Sequence, residues 1–538
     1  MDLPFPHPMK SRPIPRAIDT LAAIGLLLLS PSALMAKLEL HPLFTDHGVL
    51  QQELPVPVWG WSDPGAEISV TFGGQTKTTT AAADGRWMTI LAPLTANAEP
   101  ADLLVKNAAE SVKVSDLLVG EVWLCSGQSN MAMSVRGTTD AAAMEAEAGT
   151  AKLKDVRLFR VPVDGTDNRQ DSVKATWTPC NPATVSAFSA VGFYFGRALH
   201  TARNVPIGLI QSANGGTNAY SWINRDTLEN DPAAAPTRAF WEQTVANYPQ
   251  AAANYEKALA TWKEKVAAAK AAGNPAPRGS APREPIGPTH VKRPAGHYQA
   301  MIAPLQPFAI RGVIWYQGEA NSRAHFAPQY KDLMFALLED WRADWAGAAP
   351  DLERRNFPFY LVQLPNFGGG HEKGWPVIRE QMLRFWQEGE NTGMAVAIDV
   401  GDPKNIHPNN KKPVGERLAR FARAQTYGED LVYSGPIFDS LTIEGGKAIL
   451  KFKHLGGGLI STDQQALRHF TIAGTESIFV KANAEIVGDT VVVSSPDVPD
   501  PRAVRYAWSN NPENVNFANQ AGLPASPFRT DSWEIIVE

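Results

Sequence analysis

The sequence predicts an α/β fold with a parallel sheet, flanked at both ends by domains of β-strands. From residue 119 to about residue 430, short apolar runs typical of buried strands alternate with stretches of helical periodicity, as a parallel sheet covered by helices requires. Residues 37–118 and 431–538 carry short strand-like runs separated by turn signals, which is typical of β-sandwiches. A chain of 538 residues also exceeds what one hydrophobic core normally holds.

Residues 1–36 are predicted to be a signal peptide. Basic residues precede the apolar run Leu21–Leu29, and small residues follow it up to Ala36. The apolar run is too short to span a bilayer, and a buried N-terminal helix is the alternative. The sequence therefore predicts export to the periplasm or the cell exterior, with no membrane attachment after cleavage.

The two flanking regions contain the clearest strand signals. The predicted strands are Val56–Trp61, Glu67–Phe72 and Arg86–Ile90 near the N-terminus, and Ala448–Phe452, Thr475–Val480 and Thr490–Ser494 near the C-terminus. Gly456–Gly458 is predicted to be a turn or linker. These patterns place an N-terminal β-sandwich at 37–118 and a C-terminal one at 431–538.

The central region, 119–430, contains three predicted helices and an insertion. The helices are Ala187–His200, with Val191, Phe195 and Leu199 on one stripe, then Tyr330–Trp345 and Pro413–Tyr427. Residues 231–288 are first Ala-rich and then rich in Pro and Gly, which indicates an inserted helical hairpin ending in a flexible loop. The insertion either closes over a site or extends into solvent.

Charge and composition narrow the class of partner. The formal net charge is −5, which gives no electrostatic reason to expect nucleic acid or an anionic membrane. No cluster of side chains has metal-ligand spacing, and no Gly-rich phosphate loop precedes a helix, so neither metal nor cofactor is predicted. Pairing of the two cysteines, Cys125 and Cys180, stays open because their separation is unknown.

The segment Gly120–Met131 carries the candidate nucleophile. Its apolar run Val122–Cys125 predicts a buried strand that ends at Ser126-Gly127, where the backbone can turn sharply. Ser129 then follows a strand end, where the first turn of a helix would place free N–H groups beside its hydroxyl. Attack on an ester needs such an oxygen and such donors. Taken alone, the motif also fits a serine in an ordinary strand-to-helix turn.

Three later segments give the motif its context. Gly208–Thr217 and Gly312–Asn321 are strand-like runs that end in loops rich in Gly or amide side chains, and Ala397–Pro408 ends in a loop with a histidine. In order and spacing, the four segments resemble the sialate O-acetylesterase family, a branch of the SGNH (GDSL-like) hydrolases. The resemblance implies an SGNH-like three-layer α/β/α domain at 119–430 beside non-catalytic β-domains.

The resemblance implies that Ser129 is the nucleophile and His407 the general base. The third member of the triad departs from the family pattern. Many SGNH hydrolases carry Asp three residues before the histidine, and related esterases two before it, but these positions are Lys404 and Asn405. Asp402 is slightly favoured as the orienting group over a backbone or side-chain carbonyl.

The oxyanion hole implied by the resemblance combines backbone and side-chain donors. The backbone donors are the N–H of Ser129 and that of Gly216, with Gly215 as the contender for the second. The side-chain donor is Asn321 or, as the weaker candidate, Gln317.

The expected activity is removal of O-acetyl groups from carbohydrate through an acetyl-enzyme. The resemblance points to 9-O-acetylated sialic acid, whose carboxylate would need a cation, and Arg379 and Arg136 are the candidates. Acetylxylan or another plant polysaccharide is the alternative substrate. A glycan-binding protein with an inactive hydrolase centre is the alternative outside enzymes, because the expected Asp before His407 is absent.

Overall fold

The N-terminal strands form two sheets, one of which continues into the centre of the protein. The computed structural model describes residues 37–275, 279–323, 325–347 and 356–535. The predicted signal peptide lies outside these residues. The strands are β1 (Glu39–Leu40), β2 (Val49–Gln51), β3 (Val56–Trp61), β4 (Glu67–Phe72), β5 (Gln75–Thr80), β6 (Arg86–Leu91), β7 (Asn97–Lys106) and β8 (Ser111–Gly127).

Strand β8 joins the N-terminal sheets to the central sheet. One antiparallel sheet contains β1, β3 and β6, and a second runs β5-β4-β7-β8, with β2 parallel to the middle of β8. In β4, Ile68, Val70 and Phe72 are buried and alternate with more exposed residues, as a sheet with one covered face requires. The predicted boundary at residues 118–119 falls inside β8, so the chain passes it without leaving the strand.

The central sheet is parallel apart from one edge strand. Its further strands are β9 (Val156–Arg160), β10 (Trp177–Pro179), β11 (Ile207–Ala213), β12 (Gly312–Tyr316), β13 (Phe359–Gln363) and β14 (Thr392–Val396). Their order is β10-β9-β11-β8-β12-β13-β14, with β10 antiparallel to β9. Every residue of β11 to β14 is buried, which explains their near-continuous apolar sequences. The fold is therefore mixed α/β.

The described residues also form nine α-helices. They are α1 (Ser129–Ala132), α2 (Ala141–Ala148), α3 (Pro182–Ser186), α4 (Ala190–Arg203), α5 (Arg225–Asn230), α6 (Ala235–Ala271), α7 (Tyr330–Gly347), α8 (Gly374–Glu388) and α9 (Lys412–Phe421). Short 3₁₀ turns lie at 135–137, 151–153, 219–222, 232–234, 303–305, 319–321 and 327–329, and π-helical turns at 298–302 and 422–426. None of the described helices is long and apolar enough to cross a membrane.

The three predicted central helices are confirmed as α4, α7 and α9. In α4 the Ser189 side chain accepts a hydrogen bond from the Gly192 N–H and so caps the first turn. Val191, Phe195 and Leu199 are buried, and α4 packs against α9 and β11.

The predicted helical hairpin at 231–288 is wrong. The insertion contains one long helix, α6, and within α6 only Thr237 is fully buried. Pro249 lies inside the helix without ending it. The abundant Ala, Lys and Glu on both sides of Pro249 favour helix, and the helix continues through this proline.

The C-terminal strands form three small sheets. The strands are β15 (Ile437–Glu444), β16 (Lys447–Lys453), β17 (Leu459–Ser461), β18 (Phe470–Ala473), β19 (Val480–Lys481), β20 (Asn483–Val487), β21 (Thr490–Ser494), β22 (Ala503–Tyr506), β23 (Phe517–Asn519) and β24 (Phe528–Arg529). The sheets run β15-β16-β21-β20, β19-β18-β22-β24 and β17-β23, and their inner residues share one hydrophobic core.

One predicted C-terminal strand is wrong. Residues 475–479 do not pair with a neighbouring strand, and the described strand β19 begins only at Val480. Ser477 has a left-handed φ of 57°, and Ile478 is 69% exposed. The apolar residues that suggested the strand therefore lie at the surface. Gly456, Gly457 and Gly458 all have positive φ, as the predicted turn requires.

Candidate active site

Ser129 lies at the edge of the central sheet where the order of strands reverses. Strand β8 has β11 on one side and β12 on the other, so the loops after the three strands meet at their carboxyl ends. The Gln128 N–H donates to the Tyr316 carbonyl over 2.9 Å, and the Asn214 N–H donates to the Gly127 carbonyl over 3.1 Å. The loop that carries Ser129 is therefore tied to both neighbouring loops.

The turn before Ser129 depends on a glycine. Gly127 has a φ of +132°, and a Cβ at this position would lie 2.2 Å from the Tyr316 carbonyl oxygen. Ser129 then begins α1, and its N–H has no acceptor among the residues that the structure describes. The residue is partly exposed. Ser129 therefore combines an accessible position with an uncommitted backbone donor.

The loop after β11 adds two more uncommitted donors. A Cβ at Gly215 would lie 3.4 Å from the Cβ of Ser129, so this glycine is next to the candidate nucleophile. Gly216 has a left-handed φ of 67°. Within the described ranges neither glycine N–H has an acceptor. Both predicted contenders for the second backbone donor thus remain available, and Gly215 lies next to Ser129.

The amide side chain of Gln317 has no spare donor. Its Nε2 lies 2.7 Å from Asn321 Oδ1, 3.1 Å from Gln128 Oε1 and 3.1 Å from the Thr217 carbonyl oxygen. Two N–H groups therefore serve three acceptors. Gln317 holds the three loops together.

Asn321 retains donor capacity. Its Oδ1 accepts from the Ala219 N–H over 3.0 Å and from Gln317, whereas its Nδ2 donates to Asn218 Oδ1 over 3.0 Å. Only one of its two N–H groups has an acceptor in the part of the chain that the structure describes. Of the two predicted side-chain donors, Asn321 has the free hydrogen.

The loop that carries His407 is attached to the residue after Ser129. Asn130 Nδ2 donates to the carbonyl of Ile406 over 3.0 Å. The His407 N–H donates to Asn405 Oδ1 over 2.9 Å, which shapes the turn. The imidazole is partly exposed, and its ring nitrogens have no hydrogen-bond partner among the described residues. Burial, followed by the nearby Lys411 charge, lowers the pKa of His407.

The structure shows no hydrogen bond from Asp402 to the imidazole of His407 and so gives no support to the predicted orienting role of this carboxylate. Asp402 Oδ1 accepts from the N–H groups of Lys404 over 2.8 Å and Asn405 over 3.1 Å, so the carboxylate closes its own turn. The next acid back in sequence, Asp399, forms a two-bond ion pair with Arg417 in which both distances are 2.7 Å.

A buried charged cluster lies under the His407 loop. The Asn130 amide donates to Glu319 Oε1 and accepts from Lys411 Nζ. Lys411 is fully buried, and its Nζ lies 5.2 Å from the centre of the Tyr316 ring. The same asparagine therefore links a carboxyl group, an ammonium group and the backbone beside His407. We call Asn130, Glu319 and Lys411 the charged cluster.

Burial shifts the pKa values of the charged cluster towards its neutral forms. It raises the pKa of Glu319, an effect that the Asn130 hydrogen bond and Lys411 partly offset. It lowers the pKa of Lys411 to about 7, although Glu319 acts in the opposite direction. Glu319 Oε2 is buried and has no partner in the described residues. The cluster is electrostatically costly, which is unusual for a purely structural contact.

The prediction that Arg379 binds a substrate carboxylate is wrong. Its guanidinium is fully buried and donates to the carbonyls of Leu364, Pro365, Ser509 and Asn510 over 2.6–3.1 Å. Arg379 thus joins α8 to two loops and has no face left for a ligand. Arg136, by contrast, is exposed in a 3₁₀ turn close after the nucleophile.

Sequence reasoning missed most of the charged cluster. Asn130 and Glu319 were visible inside the first and third motifs, but a role for them depends on burial, which motifs do not show. Lys411 directly precedes α9 and looks like an ordinary basic residue. The two cysteines are free and buried, and burial raises the pKa of both thiols, that of Cys180 to about 12.

Comparison with known proteins places the chain among carbohydrate esterases. The model of a family described as carbohydrate esterase, sialic acid-specific acetylesterase, matches residues 119–268 and 287–424. Sialate O-acetylesterase of Mus musculus is 29% identical over 536 residues, covering 89% of this chain and 92% of the mouse protein. The Pongo abelii sialate O-acetylesterase is 31% identical over 518 residues, covering 89% and 90%.

A solved structure supports the same assignment. The crystal structure of a carbohydrate acetylesterase from Xanthomonas citri matches with a TM-score of 0.76 and 35% identity, covering 92% of this chain and all of that one. Fold, site and matches together define a carboxylic ester hydrolase. The chain belongs to the sialic acid-specific acetylesterase family of carbohydrate esterases. The predicted resemblance is confirmed, and an inactive glycan-binding protein is not supported.

Proposed function

We propose that this protein is a serine esterase that removes acetyl groups from carbohydrate hydroxyls through an acetyl-enzyme, with Ser129 as nucleophile and His407 as general base. The observation that carries the proposal is the meeting of three loops at Ser129, where the N–H groups of Ser129, Gly215 and Gly216 have no acceptor among the described residues. The Asn130–Ile406 hydrogen bond brings the His407 loop to the same place.

The proposed first half-reaction forms an ester on the enzyme. His407 takes the proton of the Ser129 hydroxyl while the oxygen attacks the acetyl carbonyl carbon. The N–H of Ser129, that of Gly215 or Gly216, and the free N–H of Asn321 stabilise the resulting oxyanion. Collapse of the intermediate breaks the bond to the sugar oxygen, which takes the proton from His407 and leaves as an alcohol.

The second half-reaction reverses these roles with water. His407 removes a proton from a water molecule as the water oxygen attacks the acetyl carbon. The new oxyanion uses the same donors, and its collapse releases acetate while His407 returns a proton to Ser129. We infer that the two residues act as a dyad, with the charged cluster positioning the His407 loop in place of a triad carboxylate.

The proposed substrate is 9-O-acetylated sialic acid. The proposal rests on the mouse and orangutan proteins named as sialate O-acetylesterases, which align with most of this chain. Acetylxylan or another neutral polysaccharide is the second candidate, because the Xanthomonas citri structure is named only as a carbohydrate acetylesterase. Direct comparison of kcat/KM on acetylated sialic acid and acetylated xylo-oligosaccharides distinguishes the two.

The proposal also includes the domain arrangement and the cellular location of the protein. We propose an SGNH-like three-layer domain at 119–430 with β-sandwich domains at 37–118 and 431–538, since a parallel sheet with packed helices lies between regions of antiparallel strands. The basic and apolar pattern of residues 1–36 supports a cleaved signal peptide and export.

The Ser129→Ala variant tests the assignment of the nucleophile. We expect no hydrolysis of 4-nitrophenyl acetate and no acetylated protein by mass spectrometry after rapid acid quenching, with an unchanged thermal unfolding curve. Ser134→Ala is the matched control, because Ser134 lies in the next turn and its side chain caps nothing. Turnover retained by Ser129→Ala would refute the proposal.

A further inference from the structure

A second cation, Lys292, lies beside the loop after β11. A Cβ added at Gly216 would be 3.1 Å from Lys292 Nζ, and a Cβ added at the preceding residue, Gly215, would be 3.4 Å from the Cβ of Ser129. Standard covalent geometry then limits the distance from Lys292 Nζ to the Cβ of Ser129 to about 13 Å. Lys292 therefore carries its charge beside the loop that supplies the candidate backbone donors.

The chain around Lys292 is held in place on both sides. Its N–H donates to His290 Nδ1 over 3.0 Å, and its carbonyl accepts from Ser221 Oγ over 2.7 Å. The next residue, Arg293, is buried and donates through Nε to Asp167 over 2.8 Å. The ammonium group thus extends from an anchored backbone.

No acidic side chain neutralises Lys292 among the described residues. Its Nζ forms no ion pair or hydrogen bond there, although the residue is only partly exposed. The charged groups that act on it or on its neighbours are mainly basic. Burial lowers the pKa of Lys292, and the nearby Arg283 lowers it further. Burial and then Lys292 lower the pKa of His297; burial also lowers the pKa of His290, where Glu284 acts in the opposite direction and Lys292 adds to the lowering.

A cation in this position fits one end of an acidic sugar. In a 9-O-acetylated sialic acid the carboxylate and the ester lie at opposite ends of the molecule, so a carboxylate-binding cation should be apart from the nucleophile. An ammonium group without a protein counter-ion gains most from an anionic ligand, because charge-assisted hydrogen bonds are the stronger ones. A neutral acetylated sugar offers Lys292 no such partner.

We propose that Lys292 binds the carboxylate of the acetylated sugar and so selects sialic acid over neutral substrates. This inference rests on the proposed esterase site at Ser129, and it gives that site its substrate specificity. Lys292 takes the carboxylate-binding role that the sequence had suggested for Arg379, whose guanidinium is buried against backbone carbonyls.

The test compares Lys292→Met and Lys292→Arg with wild type on three substrates. These are 9-O-acetylated sialic acid, an acetylated xylo-oligosaccharide and 4-nitrophenyl acetate. For Lys292→Met we expect the KM for the sialate to rise roughly 10- to 100-fold, as loss of a hydrogen bond to a charged group does, with kcat little changed. Lys292→Arg should recover much of the affinity. Lys263→Met, at an exposed position of α6, is the charge-matched control and should behave as wild type.

Three outcomes would overturn the proposal. Equal losses of kcat/KM on the sialate and on 4-nitrophenyl acetate would show that Lys292 stabilises the oxyanion or the folded structure instead of binding a carboxylate. Unchanged kinetics on all three substrates would leave it without a role in binding. A wild-type enzyme that prefers the neutral sugar would exclude sialic acid as the favoured substrate and, with it, the proposed role of Lys292. The Ser129→Ala variant would still test the esterase site separately.

Discussion

The residues before and after Ser129 in sequence, Gln128 and Asn130, belong to two polar networks that differ in charge. On one side, Gln128, Gln317 and Asn321 connect the loops through neutral amides. On the other, the charged cluster buries a carboxyl and an ammonium group around Asn130. Neutral amides that find partners cost little to bury, whereas buried ionisable groups cost several kcal/mol each unless they are well compensated.

The difference in charge indicates that the two networks have different roles. The amide network fixes the relative positions of the loops after β8, β11 and β12, and one N–H of Asn321 has no acceptor in the described part of the chain. The charged cluster reaches the backbone next to His407 through Asn130. We therefore expect changes in the amide network to affect oxyanion stabilisation, and changes in the charged cluster to affect the titration of His407.

The largest expected effect is from Asn321→Asp, which keeps the acceptor oxygen and removes the donor. We expect kcat for 4-nitrophenyl acetate to fall roughly 100- to 1000-fold, as loss of an oxyanion-hole donor does, with KM little changed. Circular dichroism and thermal unfolding verify that the variant folds. A folded variant with kcat within threefold of wild type would exclude Asn321 as a donor.

A smaller effect, with a definite sign, is expected from Lys411→Met. The Lys411 charge lowers the pKa of His407, so its removal should raise that pKa. Because His407 acts as a base only when neutral, the acid limb of the kcat/KM profile should move to higher pH. Above about pH 7, where Lys411 itself loses its proton, the two profiles should converge.

The readout of this experiment is the midpoint of the acid limb, which a general loss of stability does not move. Lys412→Met is the matched control, since this neighbouring lysine is partly exposed and outside the charged cluster. An acid limb that stays in place in Lys411→Met, or that moves equally in Lys412→Met, would show that the cluster does not act on His407.

The sequence was most informative where a short segment determines its own structure. Apolar runs ending in small or amide residues predicted the ends of β8, β11 and β12, and the parallel order of these strands brings their loops together. Helix α4 was likewise predictable, because its apolar stripe repeats at helical spacing.

The parts that could not be predicted depend on contacts between distant segments. Lys292 is separated from Gly216 by the whole of α6, and only the tertiary fold places its ammonium group beside the glycine. Arg379 lies on an amphipathic helix and looked available, but the loops containing Pro365 and Ser509 cover it. Asp402 had suitable chemistry, but its Oδ1 accepts hydrogen bonds from backbone N–H groups of its own turn.

The most direct test of the account is the effect of Asp402→Asn on kcat, because its central claim is that no carboxylate orients His407. Asn keeps the side-chain oxygen that accepts from the N–H groups of Lys404 and Asn405, so the turn should persist. We predict a loss of less than about tenfold, equivalent to roughly 1.4 kcal/mol of barrier. A loss of about 10⁴-fold, as in a triad that loses its carboxylate, would contradict the claim and make Asp402 the third catalytic residue.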